Sequence, residues 1–245
     1  MKTAMGSKNG NSMFCFILFV LLCDVQQLYG QKGAFDFRVE LGLYNPKFVP
    51  EGRFESMNDS TSASLSILDD PDLFLALDFK RQISRRLFGY SQLNIFLINP
   101  TIDINMGRTL NTNSGPVIVN ETWGVSYSFV RINLFLGGTY LVSKHLETFG
   151  GIGFATNVQT KEPFIGNNPG RFLDIANSLS DIYKTVIAQY QLGGRVHWKR
   201  FSISMQYQRS LANETKPFEY RGNSFALPGK LETWMISVGY RVLGK

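Results

Sequence analysis

Hydrophobic and polar residues alternate with a period of two along much of the chain, the spacing of strands whose two faces meet different surroundings. In residues 34–44, Phe35, Phe37, Val39, Leu41 and Leu43 alternate with Asp36, Arg38, Glu40 and Gly42. Residues 73–81 set Leu73, Leu75, Leu77 and Phe79 against Asp78 and Lys80, and residues 87–98 set Leu93, Ile95 and Leu97 against Gln92 and Asn94. The run Trp123–Val142 is apolar first on odd positions (Val125, Tyr127, Phe129) and then on even ones (Val130, Ile132, Leu134, Leu136, Tyr140, Val142), with Arg131 and Asn133 on the polar side. A slip of one residue predicts a β-bulge near Val130. Residues 147–158, rich in Gly and aromatics, give a weaker strand pattern. The last three segments are the clearest. Ala188, Tyr190, Leu192, Val196 and Trp198 oppose Gln189, Gln191, Gly193, Arg195 and His197; Phe201, Ile203, Met205 and Tyr207 oppose Ser202, Ser204, Gln206 and Gln208; Trp234, Ile236, Val238, Tyr240 and Val242 oppose Thr233, Met235, Ser237, Gly239 and Arg241. The pattern predicts eight strands.

Short and long connections alternate strictly. Ser84–Arg86, Ser143–Leu146 and Lys199–Arg200 are tight turns, whereas roughly 45–72, 99–121, 159–182 and 212–230 are long polar stretches, beyond the usual connection of about 4–6 residues. Residues 171–181 offer one weak helical pattern within the third stretch. A soluble domain has no reason to place every long loop at one end. A transmembrane barrel does, with short periplasmic turns, longer outer loops and an even number of strands. The predicted fold class is therefore all-β, an eight-stranded antiparallel up-and-down transmembrane β-barrel. Aromatic residues gather near the predicted strand ends, among them Tyr44, Tyr90, Trp123, Tyr183, Trp198, Phe201 and Trp234. Of these, Tyr44, Trp123, Trp198, Phe201 and Trp234 are expected at the membrane interfaces.

Composition agrees. The 245 residues include 20 Phe, 10 Tyr and 23 Gly with only 18% charged positions, a mixture suited to β structure and turns. Residues 1–30 read as an export signal. Lys2 and Lys8 precede the apolar run Met13–Cys23, too short for a bilayer helix of about 20 residues but right for a signal core of about 7–15. Gly30 is the expected end of the signal, which leaves 31–245 as the barrel domain. A lipidated Cys23 is the rival reading, against which Leu22 stands where such signals carry a small residue. Cys15 and Cys23 are the only cysteines, so a barrel cleaved after Gly30 has no thiol chemistry.

The candidate functional set is the polar face of the strands: Asp36, Arg38, Glu40, Asp78, Lys80, Gln92, Asn94, Arg131, Asn133, Gln189, Gln191, Arg195, Gln206, Gln208 and Arg241. An eight-stranded barrel is just wide enough for its side chains to fill, and opposite charges in so narrow a space should pair. The expected interior is a plug. The two histidines, His145 and His197, fall beside tight turns, about 25 Å of apolar band away from the loop acids Asp69, Asp70, Asp72 and Asp174. That separation leaves no catalytic set, and no metal site, phosphate loop or cofactor is expected. The net charge of +6 collects at the turns, in Lys80, Arg81, Arg85, Arg86, Lys144, Lys199 and Arg200, where it suits lipid phosphates; a nucleic-acid partner is not expected.

The chain resembles the small outer-membrane β-barrels represented by the OmpA transmembrane domain and OmpX, and more closely the PorT-like barrel group of Bacteroidota. The resemblance rests on Gln31 after the signal, the first strand Val39-Glu40-Leu41-Gly42-Leu43-Tyr44, the segment Gly150-Gly151-Ile152-Gly153-Phe154 and the terminal Val238-Gly239-Tyr240-Arg241-Val242. It implies an outer-membrane protein of a Gram-negative envelope in contact with outer-membrane lipid. Its most direct functional implication is a non-catalytic structural or interaction protein, an accessory of secretion or envelope assembly that meets protein partners through its long loops or its turns. A narrow porin-like channel for ions or small solutes is the second expectation, and a soluble periplasmic barrel around a hydrophobic ligand the third.

Overall fold

The computed structural model describes residues 35–50, 54–56, 61–67, 71–164 and 172–244. The export segment with Cys15 and Cys23, the loop acids Asp69 and Asp70, and Gln31 lie outside the described residues. The strands run β1 (Phe35–Pro50), β2 (Phe54–Ser56), β3 (Thr61–Ile67), β4 (Asp72–Gln82), β5 (Leu87–Ile98), β6 (Pro100–Thr112), β7 (Gly115–Ser126), β8 (Phe129–Leu141) and β9 (Leu146–Gln159). A short helix α1 (Leu173–Leu179) leads to β10 (Val186–Trp198), β11 (Phe201–Ser210), β12 (Phe218–Tyr220), β13 (Asn223–Phe225) and β14 (Gly229–Leu243).

Eight of these strands close a barrel in the order β1-β14-β11-β10-β9-β8-β5-β4, every neighbour antiparallel and β4 pairing back onto β1. They are the eight segments that the alternation marks, and each is at least 10 residues long, enough for a tilted strand of about 9–11 residues to cross a bilayer. Among the described residues no helix is long and apolar enough to do so. The polarity is inside-out. On the outer wall Ile152 is 69% exposed and Ile203 62%, while Glu40 and Asp78 inside are fully buried. From Trp234 to Val242 the outward face of β14 is apolar at every second position, about 26 Å along the strand and about 20 Å along an axis tilted by about 40°.

Residues 83–86, 142–145 and 199–200 turn the chain at one end of the barrel, and the pairing of Phe37 with Leu243 brings both ends of the barrel chain there as well. The other end, called here the loop end, carries more ordered structure than polar loops. The stretches expected as loops hold a four-stranded sheet, β2-β3-β6-β7, a hairpin β12-β13, and α1. In β6, Ile102, Ile104 and Met106 are buried between the polar Thr101, Asp103 and Asn105, a period-two pattern hidden in a stretch dense with polar residues. The sheet and helix share one apolar core with the upper barrel, from Phe74, Phe96 and Met235 in the wall to Phe172, Ile175 and Leu179 at α1.

That shared core explains the phase change near Val130 without a bulge. The β5–β8 pairing runs from Ile98–Phe129 to Leu87–Tyr140 without a slip. Odd positions face inward throughout: Val125, Tyr127 and Phe129 into the apolar cap, then Arg131 and Asn133 into the polar lumen. What inverts is the polarity of the interior. The same change recurs on β1, where inward Arg38 and Glu40 give way to inward Tyr44 and Phe48.

Candidate functional site

The lumen is layered along the barrel axis. At the turn end lies an ionic cluster around Arg195, whose guanidinium meets Glu40 at 2.5 Å, Glu147 at 2.7 Å and Asp78. Glu147 also takes Lys80 and accepts from His197 Nε2 at 3.0 Å. Arg38 Nη1 donates to His197 Nδ1 at 2.9 Å, so the neutral ring with its proton on Nε2 satisfies both contacts. Arg38 grips Asp36 through Nε and Nη2 at 3.1 and 2.6 Å, and Arg241 reaches the same carboxylate at 3.3 Å. Ser204 and Ser237 donate to the remaining oxygen of Glu40 at 2.9 and 2.6 Å. The guanidinium of Arg195 stacks 5.1 Å from the Phe149 ring, and that ring fills the space above Gly193, where a Cβ would approach it to 2.4 Å.

The middle layer is made of amides. Gln191 donates to Gln92 at 2.8 Å and to the Tyr90 hydroxyl, Gln208 to Gln191 at 3.2 Å, and Asn133 to Gln208 at 2.8 Å. Gln92 Nε2, Asn94 Oδ1, Asn133 Oδ1, Gln189 Nε2 and Gln206 Oε1 are buried without a protein partner. Above them Arg131 forms a two-pronged pair with Glu214 at 2.8 and 2.9 Å, both groups 1% exposed, and Nη1 adds Asn157 at 3.1 Å. Ser210 donates to the same Glu214 carboxylate. Over this pair sits the apolar cap, in which Tyr127 donates to the Leu179 carbonyl at 2.5 Å and packs edge-on against Tyr183 at 4.8 Å.

The polar side chains read from the alternation thus point into the lumen. Asp36 and Arg241 remain partly open at the turn end and the others are buried. Two carboxylates of the network are missing from that reading, Glu147 and Glu214. Charge arithmetic on the sequence held their signature. Arg38, Lys80, Arg131, Arg195 and Arg241 are five cations facing only Asp36, Glu40 and Asp78, so a sealed lumen required two more carboxylates. Glu147 supplies one from the weak-patterned β9, and Glu214 reaches the other from the segment after β11.

The aromatic placements need correction. Trp198 and Phe201, beside the β10–β11 turn, and Trp234 face outward, with Tyr240 set edge-on against Phe201 at 5.4 Å and Tyr207 4.9 Å from Trp234. Tyr44 is not at the interface: even positions of β1 point inward, and it lies buried 4.7 Å from Phe96. Tyr90 and Tyr183 are buried as well. Trp123 belongs to β7, outside the barrel wall, and stacks on Phe172 at 5.6 Å. Ring composition alone does not separate a lipid interface from a core; the parity of the strand does. Lys80, counted among the turn cations, is buried in the ionic cluster, whereas Arg81, Arg85, Arg86, Lys144, Lys199 and Arg200 are exposed.

An apolar exterior around a charged interior is the reverse of a soluble barrel holding a greasy ligand, and that third expectation fails on it. The chain is a small eight-stranded β-barrel with the polarity of a transmembrane barrel. No sequence family matches it, and no curated protein does. Solved structures share its outline. The attachment invasion locus protein Ail of Yersinia pestis, in complex with the heparin analogue sucrose octasulfate, is 12% identical over 86% of this chain and 99% of its own, with a TM-score of 0.45. The outer membrane protein OprG of Pseudomonas aeruginosa is 13% identical over 85% and 95%, with a TM-score of 0.47. The outer membrane protein AlkL, in lipid bilayers, is 12% identical over 88% and 93%, with a TM-score of 0.45.

Proposed function

We propose that the chain is an integral outer-membrane barrel with a plugged interior, acting without catalysis as a structural or interaction protein through the folded sheet and hairpins on its loop end. The observation that carries the reading is the closure of the lumen at three levels: the ionic cluster, the Arg131–Glu214 pair and the apolar cap. Among the described residues these three levels leave no open bore for transport, while the loop end offers a folded surface. The export signal read from residues 1–30 and the apolar wall support an outer-membrane home. Photocrosslinking in intact cells tests it. A reactive group at Ile118, 73% exposed on β7, should give protein adducts, and one at Ile203 on the wall should give lipid adducts only. Absence of any protein adduct from the loop-end positions would remove the interaction role.

A narrow channel is the second reading, favoured by the five amide atoms without protein partners in the middle layer, which suit a hydrated path. Planar-bilayer recordings separate the two: discrete conductance from the wild-type chain favours the channel, and a silent bilayer favours the plug.

A further inference from the structure

At the turn end the lumen opens through a cavity of about 350 Å³, within the range of small-molecule pockets of about 300–1,000 Å³. Its floor and wall are the outer members of the ionic cluster, Asp36, Arg38, Lys80, Glu147, His197 and Arg241. Its mouth adds Arg85, from the turn between β4 and β5, and Lys144, from the turn between β8 and β9. The cluster itself balances. Arg38, Lys80, Arg195 and Arg241 are four cations against the four carboxylates of Asp36, Glu40, Asp78 and Glu147, with His197 held as the neutral tautomer. Arg85 and Lys144 therefore add two positive charges that no described residue lining the cavity offsets. Both are exposed, and neither makes an ion pair among the described residues. The three turns at this end, residues 83–86, 142–145 and 199–200, contain no Asp or Glu.

A concave site between apolar walls focuses an unbalanced charge of this kind. Phe35, Phe88 and Leu141 provide such walls around the opening. The two mouth cations differ usefully in form, Arg85 presenting a planar fork that matches two oxygens of a tetrahedral anion and Lys144 a mobile point charge. We propose that the turn-end mouth is a binding site for a phosphate-class oxyanion, held by Arg85 and Lys144 over the paired cations Arg38 and Arg241. A free phosphate anion and the headgroup of an anionic phospholipid in the adjoining leaflet share this chemistry. The site lies inside the barrel wall and rests on the lumen geometry, so it stands or falls apart from the interaction role proposed above.

The test uses the full chain refolded in nonionic maltoside micelles, titrated calorimetrically with sodium pyrophosphate at constant ionic strength. Saturable one-site binding is expected. R85Q/K144Q should weaken it at least about tenfold, whereas R86Q/K199Q, which removes the same charge from turn positions outside the cavity, should change it by less than about twofold. Heat-shifted electrophoretic mobility of both variants shows that they fold. No saturable binding, or equal loss in the two double variants, overturns the proposal. Repeating the titration in nanodiscs separates the sources: weaker pyrophosphate binding by the wild type when phosphatidylglycerol replaces phosphatidylcholine identifies a lipid headgroup as the occupant, and unchanged binding identifies the free anion.

Discussion

Replacing Glu214 with Ala removes the counter-ion of Arg131 beneath the apolar cap. In the wild type two charge-assisted hydrogen bonds at 2.8 and 2.9 Å join groups that are both 1% exposed. Without the carboxylate, Arg131 keeps Asn157 at 3.1 Å, and its Nε already lacks a partner. Breaking a buried pair from one side costs about 3–5 kcal/mol, because the remaining charge is stranded away from water. At about 1.4 kcal/mol per power of ten, the folding equilibrium should fall by roughly two to three and a half powers of ten. The companion change, R131M/E214L, removes both charges and should recover most of the loss, leaving about 1 kcal/mol for the Ser210 hydroxyl deprived of its acceptor. Reversible urea unfolding from lipid vesicles, followed by tryptophan fluorescence, measures both. A single variant costing less than about 1 kcal/mol, or a double variant as damaged as the single, would refute the claim that this pair seals the lumen.

Other consequences follow from the same geometry. Gly193→Ala places a Cβ 2.4 Å from the Phe149 ring and 2.8 Å from the Met205 carbonyl oxygen and should destabilise the barrel by about 1–3 kcal/mol, seen as a smaller heat-shifted fraction that Phe149→Leu restores in part. Ile152→Arg, on the middle of the wall, should cost about 2–4 kcal/mol, whereas Ile118→Arg on the cap should be nearly neutral; equal costs would mean that the wall does not face lipid. Burial holds the Tyr183 phenol well above its ordinary value, with the nearby Tyr127 and Glu214 pushing the same way. The folded state thus keeps a proton that the unfolded chain loses above about pH 10, so this group's contribution is full below that pH and declines as pH rises further. Tyr183→Phe should flatten that alkaline decline in stability.

The barrel strands were legible because each lies between lipid and a polar lumen, and the resulting alternation survives in the sequence; β5 matches its expected span of 87–98. Where the interior becomes apolar, at Val125–Phe129 on one side and Tyr44–Phe48 on the other, the alternation loses its contrast and its phase misleads. The β6–β7 hairpin was hidden for a different reason. Val117, Ile118 and Val119 are all exposed, so β7 has no buried stripe there, and Asn113-Ser114 with Gly115 at φ 113° forms a hairpin turn that composition alone assigns to a loop. The charged lumen was readable from parity, yet Glu214 enters it from outside the wall strands, where parity is silent. Only the surplus of cations pointed to it.

The central property of the protein is a folded barrel whose apolar wall faces lipid. Electrophoresis of the full chain from washed outer membranes, boiled and unboiled, tests this most directly. A detergent-dependent band whose unboiled form migrates apart from the boiled one is the predicted result. A protein found in the aqueous fraction without detergent, with one mobility in both lanes, would contradict it.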